Sequence, residues 1–467
     1  MSVHSLFHRL QKPVDIAPLV IFRVLFGLMM FAGILRFWLN GWITDLYVTP
    51  RFYFNYWGFE WVHPLGDAGM HLLFLCSAMA AVGIAVGFLY RISAGFFFLT
   101  FTYIELIDAT NYLNHYYFIS LVGFLMIFLP ANRSFSVDVA IWPDLRRDKI
   151  PLWAIGIIRL QIAIVYFFAG IAKLTPDWLL NATPMKIWLP AKSHLPVIGG
   201  LMYERWTAYL FSWFGAAYDL LIAFFLINRK TRPTAYVFVI GFHLATALFF
   251  PGIGMFPYVM IICSLVFFSS AFQQKLLSRI TARAQLTPYG NAYQFPLRLN
   301  GLLAAALVIY FFIQIVVPLR YLAYPGQLFW YEEGYRFSWR VMLMEKSGNT
   351  FFYVKEPSTG RTFEVNNNEF LSPLQDKMMS TQPDLILRYA HYLASVYRQR
   401  GLKNPAVYAE CYVALNGERS RPFTNPNIDL SKQSFSWQHY KWILPPGEKE
   451  NQSSLITIKN KLYTDEK

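Results

Sequence analysis

Four polar residues within otherwise apolar stretches have side chains suited to acid–base chemistry. Lys173 ends an apolar run in YFFAGIAKLTPDW, Asn114 and His115 lie in NYLNHYYF, and His243 lies in VIGFHLATALFF. Ionisable residues inside a membrane are costly to bury, so they are candidates for functional sites when they share one depth. The four residues therefore predict a functional site in the membrane, with groups able to exchange protons or to form hydrogen bonds.

Each of these residues also has a structural interpretation. A lysine at the end of an apolar segment such as Lys173 can extend its charged head into water. His243 is also consistent with a packed histidine bonded to a backbone carbonyl, and Asn114 with a contact between helices. The shared depth of the four residues favours the functional interpretation.

Long apolar segments must position these residues. The chain has 467 residues, of which 55% are hydrophobic and only 15% are charged, and its mean hydropathy is +0.34. A soluble protein carries about 25% charged residues, so the composition favours a membrane protein. Segments of membrane-span length are predicted near 20–39, 69–89, 92–108, 114–130, 153–173, 207–227, 233–250, 254–270 and 301–317. The predicted fold is mainly α, a polytopic membrane helical bundle of about nine spans.

The distribution of positive charge predicts the orientation of the chain. The net charge is +14, and basic residues cluster in alternate loops, at 133–149, 229–232 and 275–298. The positive-inside rule places such loops in the cytoplasm. An odd number of spans then places the C-terminal region outside the cytoplasm, with the predicted site toward the extracytoplasmic side. Because the charge follows the loops, nucleic acid is not expected as a partner.

The pattern changes near residue 320. Alternating stretches at 350–356 and 361–365 predict strands, 383–400 predicts a helix, and 406–415 predicts a further strand. The predicted domains are a transmembrane catalytic domain at 1–320, an extracytoplasmic strand-rich α+β domain at 321–445, and a polar tail at 446–467.

Short motifs give no indication of metal or nucleotide chemistry. The chain contains no CxxC, HExxH, P-loop or GxGxxG sequence. Its three cysteines do not form a disulfide pattern. No metal site is predicted.

Several blocks resemble the vitamin K-dependent gamma-glutamyl carboxylases. The blocks occur in that family's order along nearly the whole chain, and they are NYLNHYYF, YFFAGIAKLTPDW, AAYDLLIAFFLINRKTRP, FHLATALFFPGIGMFPYVM and GYRFSWRVM. The short chain without paired extracytoplasmic cysteines is similar to a bacterial member, which implies the bacterial inner membrane as its location.

The resemblance implies a specific reaction. In the family, a lysine activates reduced vitamin K, a hydroquinone that oxygen converts to its epoxide. That oxidation drives removal of a proton from the gamma carbon of a glutamate, to which carbon dioxide adds. Lys173 matches the catalytic lysine, Asn114 and His115 match an Asn-His pair, and His243 matches a histidine of the family. Ala172 departs from the pattern, because the family usually has a second lysine there.

Burial and neighbouring groups make this assignment of Lys173 chemically reasonable. The apolar side chains Phe167, Phe168 and Ile171 disfavour a charged ammonium, and a neutral amine can take a phenolic proton. Asn114 and His115 would then stabilise the resulting oxyanion by hydrogen bonds.

The resemblance also implies binding residues and partners. The expected partners are a lipophilic quinone, membrane lipid and a glutamate-containing protein or peptide, with oxygen and carbon dioxide as co-substrates. The cofactor-binding candidates are Met255, Phe256, Tyr258 and Phe168. The substrate-binding candidates are Lys186, Trp330, Tyr335, Trp339 and Lys346. The aromatic members of the second set have an alternative interpretation as anchors at the membrane interface.

Three hypotheses about function follow from the sequence. The first is a full carboxylase that couples vitamin K epoxidation to glutamate carboxylation. The second, suggested by Ala172, is a hydroquinone epoxidase that does not carboxylate glutamate. The third is a non-catalytic membrane carrier or scaffold, against which stands the presence of Lys173, Asn114, His115 and His243 together.

Overall fold

The computed structural model describes residues 9–280, 292–293 and 297–447, and these form two compact units. The first unit contains the described residues up to Leu319 together with Arg336–Leu343. The second contains Arg320–Tyr335 and the described residues from Met344 onward. Trp339 therefore belongs to the helical unit, whereas the sequence analysis grouped it with the C-terminal region.

The first unit is built from helices and one small antiparallel sheet. Its two strands are β1 (Pro13–Asp15) and β2 (Lys149–Pro151). Its helices are α1 (Ala17–Leu39), α2 (Trp42–Tyr47), α3 (Gly66–Val86), α4 (Tyr90–Ile107), α5 (Asn114–Phe128), α6 (Val137–Ile141), α7 (Leu152–Ala172), α8 (Pro176–Leu179), α9 (Met185–Trp188), α10 (Arg205–Ile227), α11 (Arg232–Phe249), α12 (Phe256–Ser264), α13 (Ser270–Ile280) and α14 (Leu297–Leu319).

The apolar helices identify a multi-pass membrane protein. Six helices within the described ranges are long and apolar enough to cross a membrane. They are Ala17–Leu39, Gly66–Val86, Leu152–Ala172, Arg205–Ile227, Arg232–Phe249 and Gly301–Ala323. Helices of 18 to 23 residues match the hydrocarbon thickness of a bilayer.

The predicted count of about nine spans is not confirmed. In the segment predicted near 254–270 the chain bends by 114° between Phe256–Phe267 and Ser270–Arg279, and counting this pair as one span raises the total to seven in the described part of the chain. Helix α5 has 15 residues, which at ~1.5 Å per residue is about 22 Å, short of a hydrocarbon core of roughly 30 Å. Helix α4 carries Arg91 and Glu105, which lower its hydropathy.

Two glycines allow helix backbones of the first unit to approach closely. A Cβ on Gly27 of α1 would lie 2.5 Å from the backbone nitrogen of Ala85 in α3. A Cβ on Gly170 of α7 would lie 2.5 Å from the backbone nitrogen of Leu220 in α10. Small residues are used in this way where membrane helices pack, because there is little hydrophobic drive between helices in lipid. Helices α7 and α10 are thus held together near their contact at Gly170.

The second unit contains a four-stranded antiparallel sheet in the order β4-β3-β5-β6. Its strands are β3 (Lys346–Lys355), β4 (Thr362–Glu364), β5 (Ala406–Leu415) and β6 (Arg421–Pro422). The central register pairs Lys346 with Leu415 and Lys355 with Ala406. Burial alternates along β5, as expected for a sheet with one covered face.

Two helices, α16 (Pro373–Met379) and α17 (Pro383–Gln399), pack on this sheet. A short helix, α15 (Leu328–Tyr331), precedes the first strand of the sheet. The ring of Tyr389 in α17 meets that of Phe352 in β3 edge-on at 4.9 Å. Cys411 is buried in β5, and burial raises the pKa of its thiol to about 12, so it is an unreactive core thiol. The strands and the long helix lie where the sequence pattern predicted them.

Candidate functional site

Lys173 is buried and forms an ion pair inside the helical unit. Its Nζ donates a hydrogen bond to Oδ2 of Asp219 at 2.6 Å and a second one to the carbonyl of Ala169 at 3.3 Å. The residue is only 6% exposed, and its ammonium lies 5.4 Å from the centroid of the Trp178 ring. A lysine that extended into water would be largely exposed, so the snorkelling interpretation does not describe its geometry.

Asp219 is the part of this site that the sequence analysis missed. It is the single acidic residue of α10, and it is 6% exposed. The signal was present, since an acid within a membrane helix is a functional candidate by default. Its partner is 46 residues away in sequence, and spacing alone does not identify such a pair.

The local structure explains why Lys173 and Asp219 meet. Lys173 follows the last residue of α7, just beyond the close contact between Gly170 and α10. Thr175 then caps α8 by accepting a hydrogen bond from the backbone of Trp178. The indole nitrogen of Trp178 donates to the carbonyl of Ser212 in α10 at 2.6 Å. The turn after α7 is therefore fastened to α10 on both sides of the ion pair.

The ion pair lines a cavity of about 530 Å³. Its walls come from α7, α10, α11 and α12 and from the 336–343 segment, which contributes Val341 and Met342. Most of the lining is apolar, and its phenylalanines are Phe211, Phe214, Phe238, Phe242, Phe249, Phe250 and Phe256. This volume lies within the range of about 300–1,000 Å³ of small-molecule sites, and apolar walls with a few polar groups are their usual form.

His243 lies beside this cavity rather than on its lining. It is fully buried, and its Nε2 is hydrogen-bonded at 2.9 Å to the hydroxyl of Tyr166, which does line the cavity. Its Nδ1 is buried without a hydrogen-bond partner. His243 thus reaches the cavity through Tyr166, which lies in the same sequence block as Lys173 and was not singled out from the sequence.

His115 is also close to the cavity wall. It is 4% exposed, and its Nε2 is buried without a hydrogen-bond partner. The ring of Phe256, which lines the cavity, lies 6.2 Å from the ring of His115 and 5.4 Å from that of His243. The two imidazoles therefore share one aromatic neighbour.

Asn114 has partners for both ends of its amide. Its Nδ2 donates to the carbonyl of Arg340 at 2.8 Å, and its Oδ1 accepts from the hydroxyl of Tyr112 at 3.0 Å. The Tyr112 hydroxyl in turn accepts from the backbone nitrogen of Phe337 at 2.8 Å. Asn114 thus fastens the segment that supplies Val341 to the cavity wall. Its proposed contact with an oxyanion stays a prediction.

The structure places only one of the four cofactor-binding candidates on the cavity of Lys173. Phe256 lines the cavity with Lys173, whereas Met255 lines a second cavity of about 40 Å³. Tyr258 is 50% exposed and Phe168 is 7% exposed, and neither belongs to the lining of the larger cavity.

Two of the substrate-binding candidates, Lys346 and Trp330, form hydrogen bonds with other residues of the second unit. Lys346 donates to Glu332 at 2.7 Å and to the carbonyl of Trp330 at 2.9 Å. Trp330 is 2% exposed, and its indole nitrogen donates to the carbonyl of Leu444 at 2.7 Å. Both residues have the contacts of a domain core.

The other substrate-binding candidates lie in different surroundings. Lys186 is exposed and follows Met185, which lines the cavity. Tyr335 is half-buried in the second unit, with its ring 6.3 Å from that of Phe329. Trp339 is buried in the first unit and stacks on Tyr117 at 5.0 Å.

These features define a multi-pass membrane protein with a buried lysine–aspartate pair that faces an apolar cavity. The family described as HTTM domain matches residues 11–272. The family described as Vitamin K-dependent gamma-carboxylase, lumenal domain, matches residues 299–449. The chain belongs to the vitamin K-dependent gamma-carboxylase family. No solved structure matches it.

Proposed function

We propose that this protein is a gamma-glutamyl carboxylase that couples oxidation of reduced vitamin K to carboxylation of a glutamate side chain. The observation that carries the proposal is the Lys173–Asp219 pair facing an apolar cavity, in a chain of this family. No side chain is basic enough to remove the gamma proton of a glutamate. The oxidation of vitamin K hydroquinone by oxygen to the epoxide supplies the driving force for that step.

The cavity fits a bicyclic hydroquinone in size and chemistry. Phenylalanines such as Phe211, Phe242 and Phe249 offer flat apolar surfaces, and the ion pair offers a hydrogen-bonding partner for a phenolic hydroxyl. Lining residues also reach the outer surface of the helices, since Phe214 is 45% exposed and Val237 is 67% exposed. In a membrane protein such surface faces lipid, and we infer that a lipophilic quinone reaches the cavity between α10 and α11.

The ion pair explains how a buried, charged lysine accepts a proton. Lys173 Nζ and Asp219 Oδ2 are 2.6 Å apart, so the ammonium can pass a proton to the carboxylate, and the neutral amine that results can take the phenolic proton. The phenolate then faces a pair that holds one additional proton, with Lys173 charged and Asp219 neutral. Burial raises the free energy of the ammonium–carboxylate form of the pair, because both charges lose their hydration. The neutral amine–carboxylic acid form is therefore closer in free energy than it would be in water.

The neighbouring polar residues have supporting roles in this proposal. His115 keeps its Nε2 without a partner beside Phe256 and can donate it to negative charge that develops next to the cavity, whereas His243 acts on the cavity through the hydroxyl of Tyr166. Tyr166 orients His243, and Asn114 holds the 336–343 wall in place.

The reaction is tested by incubating the purified protein with reduced vitamin K, labelled hydrogencarbonate and a glutamyl peptide. We expect both epoxide and label fixed in the peptide, because one event drives the other. The absence of both products would contradict the proposal. A peptide with glutamine in place of glutamate is the matched control and should fix no label.

The epoxidase hypothesis is retained because of one residue. Ala172 is buried and stands where the family usually has a second lysine. If that lysine assists carboxylation, its loss uncouples the two half-reactions. Epoxide formed without fixed label in the same assay would favour this second function.

We further propose that the predicted site and the second unit lie outside the cytoplasm, on the basis of the basic loops at 133–149, 229–232 and 275–298. A reporter that is active only outside the cytoplasm should be active when fused after Pro445. The same reporter inserted after Lys230, in a basic loop, should be inactive. The reverse pattern would overturn the proposed sidedness.

A further inference from the structure

The guanidinium of Arg36, near the C-terminal end of α1, has no acidic partner among the described residues. It lies in the last turn of that helix and is half-buried. Its Nε is buried without a hydrogen-bond partner, and no side-chain hydrogen bond or ion pair of Arg36 is found in the part of the chain that the structure describes. The contact that holds it is with the ring of Trp42, whose centroid lies 5.1 Å from the guanidinium carbon.

Arg36 and His115 converge on the backbone of Gly254. A Cβ on this glycine would lie 3.8 Å from Nε2 of His115 and 4.0 Å from Nη2 of Arg36. Gly254 has φ +70° and ψ −136°, a conformation that glycine adopts far more readily than other residues. The side of the glycine that faces the two donors therefore carries only hydrogen.

The chemistry of these groups specifies the kind of ligand. An arginine presents a planar fork of donors that matches the two oxygens of a carboxylate, and a histidine nitrogen adds a further donor. A cation that is partly removed from water and unpaired is unfavourable, and a bound anion relieves that cost. The predicted carboxylate partners do not fill this role in the structure, because Lys346 already pairs with Glu332 and Lys186 is exposed.

We infer that Arg36 and His115, beside Gly254, form a binding site for a planar carboxylate-type anion. This inference rests on the proposed function for its ligand, which is the side-chain carboxylate of the glutamyl substrate or hydrogencarbonate. The site places the anion beside Phe256, the residue that follows Met255 after Gly254 and lines the cavity of Lys173.

Direct binding distinguishes this site from a merely structural arginine. We would measure the affinity of a glutamyl peptide and of the matched glutaminyl peptide for the full-length protein without vitamin K. In Arg36→Gln the affinity for the glutamyl peptide should fall roughly 10–100-fold, the range for losing a hydrogen bond to a charged group. The affinity for the glutaminyl peptide should stay unchanged.

Two further variants make the test independent of folding. Arg36→Lys keeps the charge above Trp42 but lacks the planar fork, so it should lose several-fold in glutamyl affinity while remaining folded. Arg205→Gln removes an exposed arginine at the start of α10 and should bind both peptides as the wild type does. If Arg36 only faces lipid headgroups, Arg36→Gln and Arg205→Gln should show the same glutamyl affinity and the same hydrogencarbonate dependence, and that result would overturn the inference.

The source of the anion is settled by a second measurement. If the glutamyl affinity is unchanged in Arg36→Gln but the hydrogencarbonate concentration needed for half-maximal label fixation rises, the site holds hydrogencarbonate. If neither changes, the inference is wrong. The two proposals can fail separately. If the wild-type protein makes no epoxide and fixes no label, the proposed reaction is wrong. If Arg36→Gln nevertheless weakens glutamyl binding, the carboxylate site is still supported.

Discussion

Lys173→Arg is expected to fold as the wild type does and to lose epoxide formation by about 10²–10⁴-fold, the contribution of a positioned general base. Arginine can keep an ion pair with Asp219 at this position, so the cavity should remain intact. A guanidinium does not release its proton at any pH at which proteins function. It therefore cannot exchange a proton with the carboxylate, and the pair loses its capacity to take one from a ligand.

The measurement is the initial rate of epoxide formation at saturating reduced vitamin K. Lys230→Arg is the matched control, because Lys230 is exposed and lies outside the cavity lining, and its arginine variant keeps the same charge. That control should retain its rate. Substantial epoxide formation by Lys173→Arg would show that Lys173 is a structural cation and would remove the base assignment.

Asp219→Leu is expected to destabilise the folded protein by about 3–5 kcal/mol, because it leaves the Lys173 ammonium buried without its partner. Lys173 and Asp219 are each 6% exposed, so solvent screens the pair little. The double variant Lys173→Met with Asp219→Leu should recover most of this loss, since apolar residues of similar volume often replace a buried ion pair without penalty. Thermal unfolding of the wild type and the two variants in one detergent measures the effect.

The double variant also separates stability from chemistry. It should be folded and yet form no epoxide, because neither a proton acceptor nor its carboxylate remains. If Asp219→Leu is as stable as the wild type, Lys173 is satisfied by the carbonyl of Ala169 and the ring of Trp178. The ion pair would then have no energetic role in the fold.

Local sequence patterns account for the elements of the fold better than for its span count. Hydrophobic runs and period-two alternation predict long helices and the strands of the second unit, since each depends on neighbouring residues. Whether a helix such as α5 crosses the bilayer depends on its length against the hydrocarbon thickness and on its neighbours. The bend between Phe256–Phe267 and Ser270–Arg279 lies where the apolar run ends, and the sequence pattern does not specify its angle.

The candidate site was only partly predictable for the same reason. Lys173, His115 and His243 were recognised because each is an unusual residue in an apolar run. Asp219 and Arg36 are also unusual residues in their helices, but their roles depend on the residues that they contact on other helices. Lys346 illustrates the converse, because it was predicted to bind substrate and its pairing with Glu332 depends on tertiary structure.

The backbone contact at Gly170 has a mechanical consequence for the site. Where two helix backbones meet with no side chain between them, neither helix can move closer to the other at that point. Lys173 lies three residues beyond the contact and Asp219 lies next to Leu220, so both members of the ion pair lie near this fixed contact. Val237 and Phe238 of the cavity lining belong to α11, which takes no part in the contact at Gly170. A displacement of α11 can therefore widen the cavity to admit a bulky ring while the two proton-sharing atoms keep their separation.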